Sequence, residues 1–313
     1  MNDGAEMPPL IVIGGATATG KTGLSLTLAR ALRADGVPAE IISADSRQVF
    51  RGLDIGTAKV TPEGRAGVPH HGLDLVEPDE SFSVVDYVRH ARIALAGIAE
   101  RRGLAILVGG TGLYLRAVTR GLDAEALPFD AAVRAGIETA LARDGLGPAV
   151  KRLTALAPRL ASRIDLANPR RVARALEMAE LQGDAPAPKP IGYPGPVAWL
   201  GLRLAPDTHR EWIAQRARGQ FDAGLVEEAR ALRDRFDPAL PAFSAIGYRE
   251  AWAVIDGKLT REGAIELDAR RNVAFAKRQA TWFRAEPGID WLDATTDVTA
   301  PAVAAARCLL ERR

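Results

Sequence analysis

The chain has 313 residues, a length typical of two domains or of one domain that carries a large insertion. Hydrophobic residues make up 47% and charged residues 26% of it, without any run of about 18 uncharged apolar residues. This composition excludes a wholly disordered chain and disfavours a membrane protein. The single cysteine, Cys308, excludes an internal disulfide, and the first residues lack the basic start of a secretory signal. A lone cysteine fits the reducing cytoplasm, so we expect a cytoplasmic protein; its net charge is only +2.

The first part of the chain alternates strands and helices. Residues 10–13 form an apolar run that ends at a glycine pair, and residues 24–32 have helical periodicity. The same signals predict further strands at 40–43, 73–76 and 104–108, and a helix over 84–101 that begins after Ser83. Alternation of this kind predicts an α/β fold with a parallel sheet that helices cover on both faces.

The pattern changes near residue 121. Helical periodicity without strands follows over 130–143, 148–156 and 169–182, and a proline-rich stretch at 185–190 predicts a stiff connector. Strands resume at 197–204 and 289–292, with helices over 208–236, 248–256, 260–284 and 300–312. We therefore expect an α/β core, residues 1–120 and 197–313, interrupted by a helical insertion domain, residues 121–196.

A phosphate-binding loop follows the first strand. The segment fits the pattern G-x-x-x-x-G-K-[ST], in which glycines let backbone N–H groups converge on phosphate oxygens. The lysine adds charge, the final threonine can ligate magnesium, and the next helix adds its positive end. The loop predicts a core like that of P-loop NTPases. The residues expected to bind phosphate are Gly15, Ala16, Thr17, Ala18, Thr19, Gly20, Lys21 and Thr22.

Such a loop does not by itself name the reaction. The apolar strand at 104–108 ends in Gly-Gly-Thr instead of an acid, which disfavours a motor ATPase and leaves a small-molecule kinase open. Asp45 follows the second strand, at the sheet edge where ligands bind, and could serve as general base, metal partner or helix cap. Thr111 could donate a hydrogen bond into the site or cap the following helix.

Several segments resemble a known family when they are read in chain order. The phosphate loop, residues 42–59, residues 107–114, residues 168–177, residues 245–250 and residues 277–284 resemble tRNA dimethylallyltransferases, also called tRNA isopentenyltransferases. The strings Asp-Ile-Gly-Thr-Ala-Lys at 54–59 and Lys-Arg-Gln-x-Thr-Trp at 277–282 are much more specific than the phosphate loop. The resemblance spans nearly the whole chain.

The resemblance implies a reaction and a set of roles. The family moves a dimethylallyl group from its diphosphate to the exocyclic amine of the adenine on the 3′ side of the anticodon (position 37), in tRNAs that read codons beginning with U. By resemblance, Asp45 takes the proton of the amine, Thr111 hydrogen-bonds near the reacting centre, and Mg²⁺ binds through Thr22 and the diphosphate. The adenine must leave its stack to react. ATP hydrolysis is not the expected main reaction.

The resemblance also implies a surface for the anticodon stem-loop, to which the helical insertion contributes. We expect a monomer that binds tRNA and dimethylallyl diphosphate and no membrane. The residues expected to contact tRNA are Asp45, Ser46, Arg47, Gln48, Arg134, Arg170, Arg171, Val172, Ala173, Arg174, Arg216, Gly247, Tyr248, Arg249, Lys277, Arg278, Gln279, Thr281, Trp282 and Arg284.

Other features have simpler interpretations. The pair His70-His71 is expected to be structural, because adjacent side chains point apart and rarely chelate one ion. His90 and His209 are expected on helix surfaces. Family members tend to have tyrosine where this chain has Phe50, so a role of this position beyond packing is not expected. A metabolite kinase and a non-catalytic RNA-binding module are the alternative functions, and neither explains all the basic segments.

Overall fold

A computed structural model describes residues 7–121, 128–185 and 190–312. The expected proline-rich connector lies mostly outside these residues. The chain divides into two compact units, a core unit of residues 1–121 and 192–313 and a helical unit of residues 122–191. No helix in the described ranges has both the length and the apolar character that crossing a bilayer requires.

The core unit contains one six-stranded parallel sheet, which confirms the predicted α/β class. Its strands are β1 (Leu10–Gly15), β2 (Ala39–Ser43), β3 (His70–His71), β4 (Leu104–Gly109), β5 (Val197–Arg203) and β6 (Ile289–Asp293). Their order across the sheet is β3-β2-β4-β1-β5-β6. Every residue of β1, β2 and β4 is buried, as expected of central strands that are covered on both faces.

The third strand lies earlier in the chain than predicted. His70 and His71 pair with Ile41 and Ile42, whereas residues 73–76 form only one isolated bridge, from Val76 to Phe50. The chain turns at Gly72, which has φ +80°, and a Cβ there would lie 2.5 Å from the Ser43 carbonyl oxygen. The apolar run at 73–76 therefore cannot continue along β2, so this prediction was wrong.

Helices cover both faces of the sheet. On the first half of the chain these are α1 (Lys21–Ala34), α2 (Pro62–Arg65), α3 (Val84–Glu100) and α4 (Gly112–Arg116). Leu24 and Leu28 of α1 pack in one apolar cluster with Ile11 and Ile13, while Tyr87 of α3 packs in another. The side chain of Ser83 accepts a hydrogen bond from Asp86 N, which confirms the predicted cap of α3.

The helical unit contains α5 (Ala131–Asp144), α6 (Leu146–Leu156), α7 (Pro158–Ala161) and α8 (Pro169–Gln182). Asn168 caps α8 by accepting hydrogen bonds from the N–H groups of Arg170 and Arg171. One face of α8, with Val172 and Leu176, is buried among residues of α5, α6 and α7. The unit thus has a hydrophobic core of its own.

The rest of the core unit consists mainly of helices. These are α9 (Pro206–Asp222), α10 (Leu225–Arg233), α11 (Tyr248–Ile255), α12 (Arg261–Arg284) and α13 (Thr299–Leu310). A single helix was predicted over 208–236, but Gly224 has φ +101° and separates α9 from α10. A helix cannot continue through that left-handed residue, so the prediction of one helix was wrong.

Candidate active site

The phosphate loop joins β1 to α1 in a closed turn. Gly15 has φ +144°, and a Cβ at this position would lie 2.7 Å from the carbonyl oxygen of Leu202. Two side chains of the loop donate to the Ala16 carbonyl: Thr19 Oγ1 at 3.0 Å and Lys21 Nζ at 2.5 Å. No side chain caps the start of α1, which leaves its first N–H groups directed at the loop.

The carboxyl ends of β1, β2 and β4 open onto a cavity of about 300 Å³. This is the sheet edge at which ligands bind in open α/β folds. Residues that the sequence predicts for the site, from different segments of the chain, line this cavity together, and Arg216 of α9 also lines it. The residues that line the cavity include Thr17, Ala18, Lys21, Thr22, Asp45, Gln48, Thr57, Gly110, Arg216, Phe275 and Gln279.

Two cations face this cavity. Burial, followed by the repulsion of Arg216, lowers the pKa of Lys21 to about 7, although Asp45 partly opposes the change. Burial also lowers the pKa of Arg216, against the attraction of Asp45 and Asp268. The Arg216 Nε is buried without a hydrogen-bond partner among the described residues. Such a pair of poorly solvated cations is suited to a multiply charged anion.

Asp45 and Thr111 belong to one hydrogen-bonded turn. The Asp45 Oδ1 accepts the backbone N–H of Arg47 at 2.8 Å, which leaves the other carboxylate oxygen available at the cavity. Thr111 Oγ1 accepts the N–H of Ser46 at 3.0 Å. Thr111 makes no capping hydrogen bond to α4 with its side chain, and its hydroxyl also donates to Ser46 Oγ at 3.4 Å, so its role near the reacting centre stays a prediction.

The loop at 54–59, the most specific string of the sequence, forms another cavity wall. Glu228 of α10 accepts the N–H groups of Ile55 at 2.7 Å and Gly56 at 3.1 Å. Lys59 Nζ lies 2.6 Å from carboxylate oxygens of both Asp54 and Asp74. These contacts hold Thr57 and Ala58 against the cavity, so the string is needed mainly to shape a loop.

The cavity also contains oxygen atoms that suit magnesium. Mg²⁺ prefers oxygen ligands and usually takes one or two from the protein, with substrate phosphates and water completing the shell. The Thr22 hydroxyl and the Asp45 carboxylate line the same cavity. Within the described ranges, no cluster of three or more His, Cys, Asp or Glu residues could chelate a metal alone. The residues present fit a metal ion that takes some of its ligands from the protein and the others from a bound phosphate.

The structure separates the predicted tRNA-contacting residues into two groups. Arg170, Arg171, Arg249, Lys277, Arg278, Thr281 and Arg284 are exposed. By contrast, Val172, Ala173, Gly247 and Tyr248 are buried, and the Tyr248 hydroxyl donates to Glu228 at 2.7 Å. The side chains of these four residues are packed inside the protein, so an RNA contact at these positions stays a prediction and would involve the backbone.

Other predicted contacts are engaged in internal interactions. Arg174 and Arg134 lie 2.7 and 3.3 Å from Glu177, whose carboxylate is fully buried. Trp282 packs against Gly112, and the guanidinium of Arg116 lies 4.6 Å from the centre of its ring. Arg47 Nη1 donates to the Pro241 carbonyl at 2.9 Å. These side chains therefore make contacts within the protein whether or not RNA is bound.

The histidines behave only partly as predicted. His71 Nε2 lies 2.7 Å from Glu40 and His70 Nδ1 lies 2.8 Å from the Val68 carbonyl, so each ring has its own protein partner. His90 and His209 are not simply surface residues. His90 Nε2 accepts the N–H of Gly72 at 3.0 Å, and His209 contacts the phosphate loop. A lone histidine in a helix gives no signal for such a contact in the sequence.

Comparison with known proteins gives a consistent result. A family model described as IPP transferase matches residues 48–286. A tRNA dimethylallyltransferase of Thermus thermophilus is 42% identical over 286 residues, which are 90% of this chain and 91% of that protein. One of Anaeromyxobacter sp. is 43% identical over 300 residues, or 94% of this chain and 95% of that protein.

A solved structure is similar over nearly the whole chain. The tRNA isopentenylpyrophosphate transferase of Bacillus halodurans superposes with a TM-score of 0.70 at 36% identity. The match covers 97% of this chain and 96% of that one. The core sheet and the helical unit therefore both lie within the aligned part.

Proposed function

Since the chain belongs to the IPP transferase family, we propose that it transfers a dimethylallyl group from dimethylallyl diphosphate to a tRNA adenine. The acceptor is the exocyclic amine of the adenine on the 3′ side of the anticodon, in tRNAs that read codons beginning with U. One observation carries the proposal: the phosphate loop, two cations and Asp45 face one cavity. Because tRNA is the acceptor, the proposed location is the cytoplasm, and the proposed oligomeric state is a monomer.

The transfer exchanges one bond for another at the first carbon of the dimethylallyl group. The carbon–oxygen bond to the diphosphate breaks and the amine nitrogen forms a bond to that carbon. Asp45 accepts the proton that the nitrogen loses, and Thr111 orients the segment that carries Asp45 through Ser46. Lys21 and Arg216 stabilise the negative charge that grows on the leaving diphosphate.

Magnesium fits this arrangement as a partner of the leaving group. Thr22 would hold it together with the diphosphate, and the ion would supply further charge stabilisation during bond cleavage. The exposed cations of the two units, among them Arg170 and Arg171 in α8 and Lys277 and Arg278 in α12, would bind RNA phosphates. We propose that the helical unit contributes to tRNA binding in this way.

A direct assay tests the proposal. The purified chain is incubated with dimethylallyl diphosphate, magnesium and unmodified tRNA. The RNA is then digested, and the masses of the fragments are measured by mass spectrometry. We expect one dimethylallyl group on the adenine next to the anticodon, and none on a tRNA with guanine at that position. If the RNA stays unmodified and the protein instead transfers phosphate from ATP to a small hydroxyl compound, the protein is a kinase and the proposal is contradicted.

A further inference from the structure

One peptide unit of the phosphate loop is held in an unfavourable conformation. Ala18 has φ +57°, a region that residues with a Cβ rarely adopt. The peptide between Thr17 and Ala18 is trans, so its carbonyl and its N–H point in opposite directions. Rotation of this peptide by half a turn would return φ of Ala18 to negative values. The same rotation would reverse the direction of the Ala18 N–H, which is one of the donors of the loop.

Side chains from two other helices hold this part of the loop. His209 of α9 lies with its Nε2 2.8 Å from the carbonyl oxygen of Thr17. Since a carbonyl only accepts, the Nε2 of His209 carries the proton. On the other side of Thr17, Gln279 of α12 accepts the Thr17 N–H at 2.8 Å and donates to the Gly110 carbonyl at 2.9 Å. Gln279 was predicted to contact tRNA, but both ends of its amide are used here.

The packing of α9 fixes the position of the histidine. His209, Ile213 and Arg216 are spaced by four and three residues, so they lie on one face of the helix. Ile213 packs against Ala16 in the phosphate loop, and Arg216 lines the phosphate cavity. Ala18 lines that cavity too, whereas His209 lines a second cavity of about 330 Å³. The Thr17 carbonyl thus faces His209, and the Ala18 N–H points away from it.

We propose that His209 is a positioning residue, which holds the Thr17–Ala18 peptide in the orientation that binds diphosphate. It acts by opposing the relaxation of Ala18, and it touches neither the dimethylallyl group nor the amine. The inference rests on the proposed function only for the identity of the ligand, a diphosphate. If part of the population has the peptide reversed, the apparent affinity falls in proportion to the fraction that remains competent.

Inorganic diphosphate with magnesium is the probe, and its affinity is measured by calorimetry on the full chain. His209→Gln and His209→Met have similar length, but only glutamine can donate to the Thr17 carbonyl. We expect about tenfold weaker binding for His209→Met, equivalent to about 1.4 kcal/mol, and binding within about threefold of wild type for His209→Gln. Glu211→Met, at an exposed position of the same helix, should bind as wild type does.

A second substitution tests the reason for the effect. Glycine adopts φ near +57° without strain, so in an Ala18→Gly background the same His209→Met change should weaken binding by about threefold or less. Equal affinity of His209→Met and wild type, or equally weak binding by the Met and Gln variants, would overturn the inference. Absence of diphosphate binding by the wild type would overturn it together with the proposed function. The expected pattern of affinities without any transfer to tRNA would contradict the proposed function alone.

Discussion

At the residue scale, Asp45 and Lys21 bring opposite charges to one cavity and have separate tasks. Asp45 accepts a hydrogen bond from the N–H of Arg47 with one carboxylate oxygen, and in the proposed mechanism its other oxygen takes the proton of the amine. Lys21 Nζ donates to the Ala16 carbonyl, within the loop that we propose binds the diphosphate. A substitution at either residue should therefore affect a different step.

Replacing Asp45 by asparagine should remove the base and keep the turn, because the amide oxygen can still accept the N–H of Arg47. We expect turnover to fall by roughly two to four orders of magnitude, the usual effect of losing a general base. Affinities for tRNA and for diphosphate should remain within a few-fold of wild type. Single-turnover transfer measured at saturating substrates checks this. Turnover close to that of wild type would reduce Asp45 to a residue that merely shapes the turn.

The low pKa of Lys21 predicts that diphosphate binding depends on pH. With a pKa of about 7 in the free protein, Lys21 loses its charge as the pH rises through neutrality. A bound diphosphate favours the charged form and raises this pKa, so binding at pH 8 should take up close to one proton. The affinity should fall by up to tenfold per pH unit above 7. Calorimetry in two buffers with different ionisation enthalpies measures the uptake, and Lys21→Met should abolish it.

At the element scale, side chains of neighbouring helices hold the loop at 54–59 in place. Its N–H groups are bound by Glu228, and Gln220 Nε2 donates to the carbonyls of Ile55 and Gly56 at 2.7 and 2.8 Å. The Tyr248 ring covers Gly56 so closely that a Cβ there would lie 2.5 Å from Tyr248 Cζ. Helices α9, α10 and α11 thus fix this wall of the cavity.

Gly56→Ala should consequently destabilise the core unit. The ring of Tyr248 is fully buried and also bonded to Glu228, so it has little room to move. We expect a loss of about 1–3 kcal/mol, the usual cost of overpacking, seen as a lower midpoint in denaturant titration. Gly219→Ala is the matched control, since its Cβ would meet open space within α9. That variant should be as stable as wild type or up to about 1 kcal/mol more stable. Equal midpoints for Gly56→Ala and wild type would show that the loop adapts.

The sequence predicted the elements best where local signals were strong. Ser83 marked the start of α3, and apolar periodicity located α3, α8 and the central strands, because the residues of these segments themselves show which positions are buried. It failed at residues 73–76 and 208–236, where Gly72 and Gly224 take left-handed conformations that an apolar pattern does not reveal. At the candidate site, the motifs predicted Lys21 and Asp45, which both line the cavity, whereas the role of Thr111 stays a prediction. The contact of His209 with the phosphate loop spans 192 residues and has no local signature.

At the scale of the whole molecule, the exposed basic residues belong to both compact units. Arg170 and Arg171 are exposed on the helical unit, and Lys277 and Arg278 are exposed on the core unit. The net charge of +2 is too small to attract RNA by itself, so local clusters must supply the attraction. If each cluster binds phosphates of the same tRNA, the two contributions should add.

Charge removal in each unit tests this addition. Arg170→Ala with Arg171→Ala, and separately Lys277→Ala with Arg278→Ala, should each weaken tRNA binding. Each pair should lower the log–log salt slope by about one to two units, roughly one per lost phosphate contact. In the variant with all four substitutions, the salt slope should fall by the sum of the two decreases, because each cluster releases its counterions independently. Filter binding at several salt concentrations measures these slopes, and diphosphate affinity should stay unchanged.

Arg174→Ala is the informative control for the helical unit. Arg174 pairs with the buried carboxylate of Glu177, so its loss should lower the free energy of unfolding by about 1–3 kcal/mol. The salt slope of tRNA binding should change less in this variant than in the Arg170/Arg171 variant. Arg170 and Arg171 are exposed, and their substitution should leave the unfolding midpoint unchanged. An unchanged slope in the Arg170/Arg171 variant would remove this face of α8 from the tRNA site. If the variant with all four substitutions binds tRNA no more weakly than either double variant, the two clusters do not bind the tRNA simultaneously.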